Sequence, residues 1–208
     1  MTTSFWDKNE VEKQFAECMT LKEIIRRIET DFSLRGEVIC EIRVNGMILD
    51  EGDETKFAES PRQEIQDIAI RSNKPADLIN DALASAHAFI PELEDSCLKT
   101  AEMFRGSNLQ ESQNSFNTCL EGCQWLVDTL MHVRGAASGV GQPIHQPERW
   151  FEAEKVIARV IREMSEAYSK KDYVLVADLL EYELTGALIV WKEALALERP
   201  LRKPNGSR

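Results

Sequence analysis

Apolar residues recur every three to four positions through most of this chain, and in one short stretch near the start they alternate with polar ones instead. Residues 1–19 carry a weak amphipathic pattern, with Val11, Phe15 and Cys18 or Met19 at helical spacing. Thr20 opens a capping box with Glu23, and Leu21, Ile24, Ile25 and Ile28 supply one apolar face, so the spacing predicts a short helix over 20–30. The period then changes to two: Val38, Cys40, Ile42 and Val44 predict a strand with an apolar face. Asn45-Gly46 follows, a pair that tolerates positive φ at both positions and predicts a tight hairpin returning through Met47, Ile48 and Leu49. Asp50, Glu51, Asp53 and Glu54 read as an acidic, solvated turn. Ile65, Ile68 and Ile70 within Glu64–Arg71 predict a third strand whose uneven spacing asks for a bulge. Residues 1–73 therefore read as a small α+β unit with an antiparallel sheet. Its hairpin has a β-grasp flavour, although here the helix precedes the hairpin.

From Pro75 onward the period is helical. A stripe from Leu78 to Phe104 continues past Pro91, where a kink is expected. A turn at 105–108 leads to a second helix over about 109–134. The stretch 135–147, with three glycines and two prolines, reads as a linker. A third helix begins at Pro147-Glu148, Asp172 reads as the N-cap of a fourth, and Pro200 ends it. The two helical pairs echo each other at a spacing of 64: Phe104 with Tyr168, Leu120 with Leu184, Gly122 with Gly186. A lone hairpin cannot hide its apolar stripe, whereas two can close on each other. The expected fold is therefore α+β and predominantly helical. It consists of the N-terminal unit, a four-helix bundle over 74–198 made of hairpins 76–134 and 148–198, and a disordered basic tail over 199–208.

Composition narrows the partners. The chain has 208 residues and a formal net charge of −11. That acidity argues against nucleic acid, whose binding needs a basic face, and against an anionic membrane surface. Charged residues throughout the first twenty positions leave no apolar leader region, and no run of 18 apolar residues exists to span a bilayer. The five cysteines are odd in number and lack the spacing of a disulfide scaffold, which points to a reducing cytoplasm.

Candidate chemistry is sparse. Cys119 and Cys123 share a helix face at i and i+4, a spacing that two metal-binding thiolates could use, but both fall on the apolar stripe and read as core residues. Their echo positions are Glu183 and Ala187, so no metal pair is duplicated. His87, His132 and His145 form no Glu-x-x-His pair, and Gly135–Gly141 lacks the Gly-Lys-Ser/Thr of a phosphate loop. Asp50–Glu54 lacks the ligand spacing of a calcium loop. Asp178, Glu181 and Glu183 read as a solvated helix face. Trp125 and Trp191 are expected to cap the bundle core.

These observations lead to the expectation of a non-enzymatic interaction protein, an adaptor or chaperone, with no cofactor and no metal. Its partner is another protein, basic or helical, or a second copy of the chain. Trp6 and Trp150, which begin segments, and the carboxylates of Asp50, Glu51, Asp53 and Glu54 are the candidate partner-binding residues. In acidity, size and bundle architecture the chain is similar to the chaperones of bacterial flagellar and type III export, a likeness of class alone. The other expectation is an enzyme or small-ligand protein with a pocket between sheet and bundle, drawing on Cys97, Cys119, Cys123, His87 and His132.

Overall fold

The computed structural model describes residues 1–106, 108–141 and 143–198, with the side chains of Glu51 and Glu54 excepted. The tail expected at 199–208 lies outside the described residues. The fold is α+β and predominantly helical, in two compact units that divide after Leu78.

The first unit is a four-stranded antiparallel sheet backed by helices. Its elements are β1 (Thr2–Asp7), α1 (Lys8–Gln14), α2 (Leu21–Leu34), β2 (Val38–Val44), β3 (Met47–Ile48), α3 (Glu51–Phe57) and β4 (Asp67–Asn73), and the strand order is β1-β4-β2-β3. The weakly amphipathic stretch 1–19 is thus a strand followed by a short helix. Asp7 makes the break: its side chain receives the Glu10 N–H at 2.9 Å, and the Glu10 carboxylate takes the Asp7 N–H in return. Val11, Phe15 and Cys18 are buried against Leu21, Ile24, Ile28 and Phe32 of α2, whereas Met19 faces solvent. The inner face of the sheet, Ile42, Val44, Ile68 and Ile70, completes this core.

Two sequence expectations shift by one element. The bulge lies in β2, between Ile39 and Glu41, and not in β4. It hands the inner face from Val38 and Cys40, which are exposed, to Ile39. The acidic segment at 50–54 is the start of α3, where Asp50 caps the helix by receiving the Asp53 N–H at 2.8 Å. The Asn45-Gly46 hairpin forms as its chemistry requires, with φ of 51° and 77°.

The second unit comprises α4 (Pro75–Arg105), α5 (Leu109–Gly139), α6 (Pro147–Ser169), α7 (Tyr173–Asp178) and α8 (Thr185–Ala196), the last two joined by a π-helical turn at Leu179–Leu184. All contribute to one apolar core. Helix α4 runs through Pro91 without ending. Helix α5 likewise passes through Gly135 and ends at Gly139, so the connection to α6 is shorter than the 135–147 expected. Two glycines cost a helix about 1 kcal/mol each, and the fully buried Ala137 between them anchors the extra turn in the core.

At one end of the bundle four rings interlock. Phe104 stacks on Tyr173 and Phe116 on Tyr168, at centroid distances of 5.5 and 4.9 Å, and the two stacks meet edge to face. At the other end Trp150 and Trp191 meet edge to face at 5.3 Å, both fully buried. Trp191 is thus a core residue as expected. Trp125 is not: it is 44% exposed and lies against Phe89.

Candidate functional site

The densest concentration of reactive side chains is where α4 faces α5. Cys97, Cys119 and Cys123 are all buried there. The Cys119 Sγ lies 3.4 Å from the Ser96 hydroxyl and 3.3 Å from the Thr100 hydroxyl, and Thr100 also meets Ser115 at 2.6 Å. Hydrogen bonding from Cys97, with help from Ser96 and Thr100, holds the Cys119 thiol below its ordinary range against the effect of burial. The Cys97 thiol, whose proton is held in that bond and by burial, is pushed up. Burial and the neighbouring Cys119 push Cys123 up to about 12. Cys97 and Cys123, which keep their protons, are poor nucleophiles and poor metal ligands, whereas Cys119 gives up its proton more readily but is buried. Among the described residues no group of three His, Cys, Asp or Glu is placed to hold a metal ion.

The remaining candidates do not converge on these thiols. His87 and His132 are exposed, and the His132 ring bonds to its own helix at the Asp128 carbonyl, 2.7 Å away. The carboxylates of the last helix are committed to arginines: Arg105 bridges Asp178 at 2.8 Å and Glu181, while Arg159 bridges Glu183 at 3.0 Å and Glu163 at 3.1 Å. They brace the π-helical turn rather than forming an acid/base pair.

Of the residues singled out for partner binding, Trp150 is not at the surface. Its indole N–H donates to Glu198 at 3.1 Å, and that carboxylate also takes the His145 backbone N–H. Pro147 starts α6 so early that position 150 already falls on its core face. Trp6 is half-buried, packed edge to face on Phe15, with its N–H on the Gln14 side chain at 2.9 Å. It borders a polar hollow of about 320 Å3 with Arg27, Asp31 and Arg35. Asp50 serves α3 as its cap, and Asp53 is half-exposed in the same first turn.

Two further surfaces have no counterpart among the sequence expectations. One is a hollow of about 310 Å3 beside the hairpin, floored by Leu21, Val44, Leu49, Phe57 and Ile65, with Asn45, Ser60 and Glu64 at its rim. The other is on the last helical stretch. Val176, Leu180, Leu184, Leu188 and Trp191 fill the core, yet Leu175, Tyr182, Ile189 and Val190 are 44, 64, 50 and 40% exposed. Tyr182, Ile189 and Val190 stand at i, i+7 and i+8, the spacing of one helix face. The unbroken run Leu188-Ile189-Val190-Trp191 is the signal that could have found it: an apolar residue on every side of a helix leaves one apolar face outside the bundle core.

The bundle is also where the chain meets known proteins. The family described as Domain of unknown function (DUF8042) matches residues 81–194, more than half of the chain. The chain belongs to this family. The DUF8042 match runs from the second turn of α4 to the last turn of α8, so it takes in the thiol cluster, the ring cluster and the exposed apolar face, while the sheet lies outside it. No curated protein and no solved structure matches the chain. No helix among the described residues is long and apolar enough to cross a membrane.

Proposed function

We propose that this protein is a non-enzymatic interaction protein, an adaptor or chaperone of the cytoplasm, whose DUF8042 bundle presents the outer face of α7–α8 to another protein. The observation that supports this reading is the second apolar face of that helix. Tyr182, Ile189 and Val190 stand in water on a helix whose opposite face is already filled. Clustered apolar side chains of this kind mark association surfaces more often than idle surface, and Tyr is enriched where partners bind. The ion pairs from Arg105 and Arg159 flank Tyr182 through Glu181 and Glu183, giving the face a polar rim. The burial of the thiols and the scatter of the histidines are consistent with a surface-acting protein.

The test compares the wild-type chain with Tyr182→Asp and Ile189→Asp. Both positions are exposed, so the variants should keep the wild-type circular dichroism spectrum. Light scattering first establishes whether the partner is a second copy: a mass of twice 23.7 kDa that falls to one copy in the variants identifies it. If the wild type is a monomer, a stoichiometric protein captured by the wild type and lost by both variants is the expected result. A monomeric wild type whose captured proteins are unchanged by both substitutions would refute the proposal.

A further inference from the structure

The hollow beside the hairpin is built differently from the bundle surface. Its floor is apolar, and the hairpin turn beside it is held by side-chain hydrogen bonds. The Asn45 side chain accepts the Gln66 N–H at 2.6 Å and donates to the Glu64 carbonyl at 3.1 Å, while Gly46 donates to the Asp67 carboxylate at 3.2 Å. These bonds pin the β2–β3 turn to the segment that leads into β4. Met47 and Leu49, two residues apart, both line the hollow and therefore share one face, leaving Ile48 on the opposite face, 52% exposed. Strand β3 is an outer strand of the sheet, with no strand beyond it.

The lining carries one carboxylate, Glu64, and the Lys56 ammonium lies over the Phe57 ring at 4.9 Å from its centroid. Glu64 is exposed, and its carboxylate has no cationic partner among the described residues. Ser60 also lines the hollow. A volume of about 310 Å3 is at the lower end of the roughly 300–1,000 Å3 of ligand pockets, enough for one large apolar side chain rather than a cofactor.

We propose that this hollow is a docking site for an extended peptide segment of a partner protein, with one large apolar side chain seated on Leu49, Phe57 and Ile65 and a lysine or arginine two residues away paired with Glu64. Two residues is the period at which side chains of an extended chain return to the same face. The charge complementarity selects a basic segment, as the acidity of the whole chain does. The inference deepens the interaction reading by naming a class of partner, but it uses none of the α7–α8 residues, so the two stand or fall separately.

The test uses the full chain labelled with 15N and a capped hexapeptide, Lys-Thr-Phe-Thr-Lys-Thr. The expected result is saturable shifts of the Met47, Ile48 and Leu49 amides. Replacing the peptide's Phe by Ala should weaken binding about tenfold or more, and replacing both Lys by Glu about fivefold or more. Glu64→Lys, at an exposed position, should reverse the preference between the Lys and Glu peptides. Tyr182→Asp should leave every one of these shifts in place, which separates failure of this site from failure of the bundle surface. The proposal is overturned if millimolar peptide leaves the hairpin amides unmoved, or if the Lys and Glu peptides bind the wild type equally.

Discussion

Asn108 and Asp172, sixty-four positions apart, perform the same act in the two helical hairpins. Each side chain accepts the backbone N–H three residues on, Asn108 from Glu111 at 3.3 Å and Asp172 from Leu175 at 3.1 Å. Each therefore starts the helix that returns along the bundle, just where the Phe104–Tyr173 and Phe116–Tyr168 stacks join the two turns. Loss of such a cap typically costs about 1 kcal/mol. Asn108→Ala and Asp172→Ala should each lower the unfolding free energy by about that amount in urea titrations. Asn108→Asp should cost little, because a carboxylate serves the same cap.

The echoed glycines, by contrast, do different work. A Cβ on Gly122 would come within 2.9 Å of Leu93 Cδ1 and 3.2 Å of Phe89 Cζ, whereas a Cβ on Gly186 meets nothing within 4 Å. Alanine in an open helix interior gains up to about 1 kcal/mol over glycine. Against a buried Leu93 the same methyl brings an overpacking cost of about 1–3 kcal/mol. Gly186→Ala should therefore raise the melting temperature and Gly122→Ala lower it. Equal shifts of the same sign would show that the Leu93 side chain moves aside freely.

What the sequence disclosed follows the range of the interactions involved. The Asn45-Gly46 turn, the Thr20 cap and the four helices are local, and their periodicity was sufficient. Strand β1 was not legible, because its partner β4 is some sixty residues away and its one long inward side chain, Trp6, is followed directly by a helix cap. The bulge at Cys40 is hidden in the sequence because Val38, Cys40, Ile42 and Val44 keep an apolar period of two; the apolar Ile39 between them breaks the alternation, but only pairing with β4 shows that the register slips after it. Trp150 looked like an exposed anchor because the residue that satisfies its N–H, Glu198, is on the far end of the bundle sequence. Of the candidate site, the acidity is visible in the sequence, but the hollow that Glu64 lines requires three separate segments to meet.

Alkaline conditions should probe the thiol cluster. Cys123 is pushed from 9.0 up to about 12, first by burial and then by Cys119. A folded-state pKa above the unfolded one means that stability is complete below pH 9 and is lost as pH rises from 9 toward 12, because the unfolded chain releases a proton that the folded chain keeps. The loss is about 1.4 kcal/mol per pH unit in that window. Cys123→Ala removes this contribution at the expense of a small cavity. Urea titrations between pH 8 and 10.5 should therefore find the variant less stable than wild type at pH 8, with the gap closing as pH rises. A gap that stays constant would mean that Cys123 ionises as freely in the folded chain as in the unfolded one.

Thiol accessibility gives the last prediction, and it bears on whether the bundle can do redox chemistry at all. Among the described residues Cys18, Cys97, Cys119 and Cys123 are buried and Cys40 is exposed, because the bulge turns it off the inner face of β2. A thiol reagent must reach the sulfur as a thiolate, so burial slows it by the free energy of local opening. Ellman's reagent should modify one thiol of the native chain rapidly and the other four at the rate at which the units open, and Cys40→Ser should abolish the rapid phase. If a second rapid phase persists in Cys40→Ser and vanishes only with Cys119→Ala, the α4–α5 cluster is open to solvent-borne oxidants, and the binding-protein reading would have to make room for a redox function.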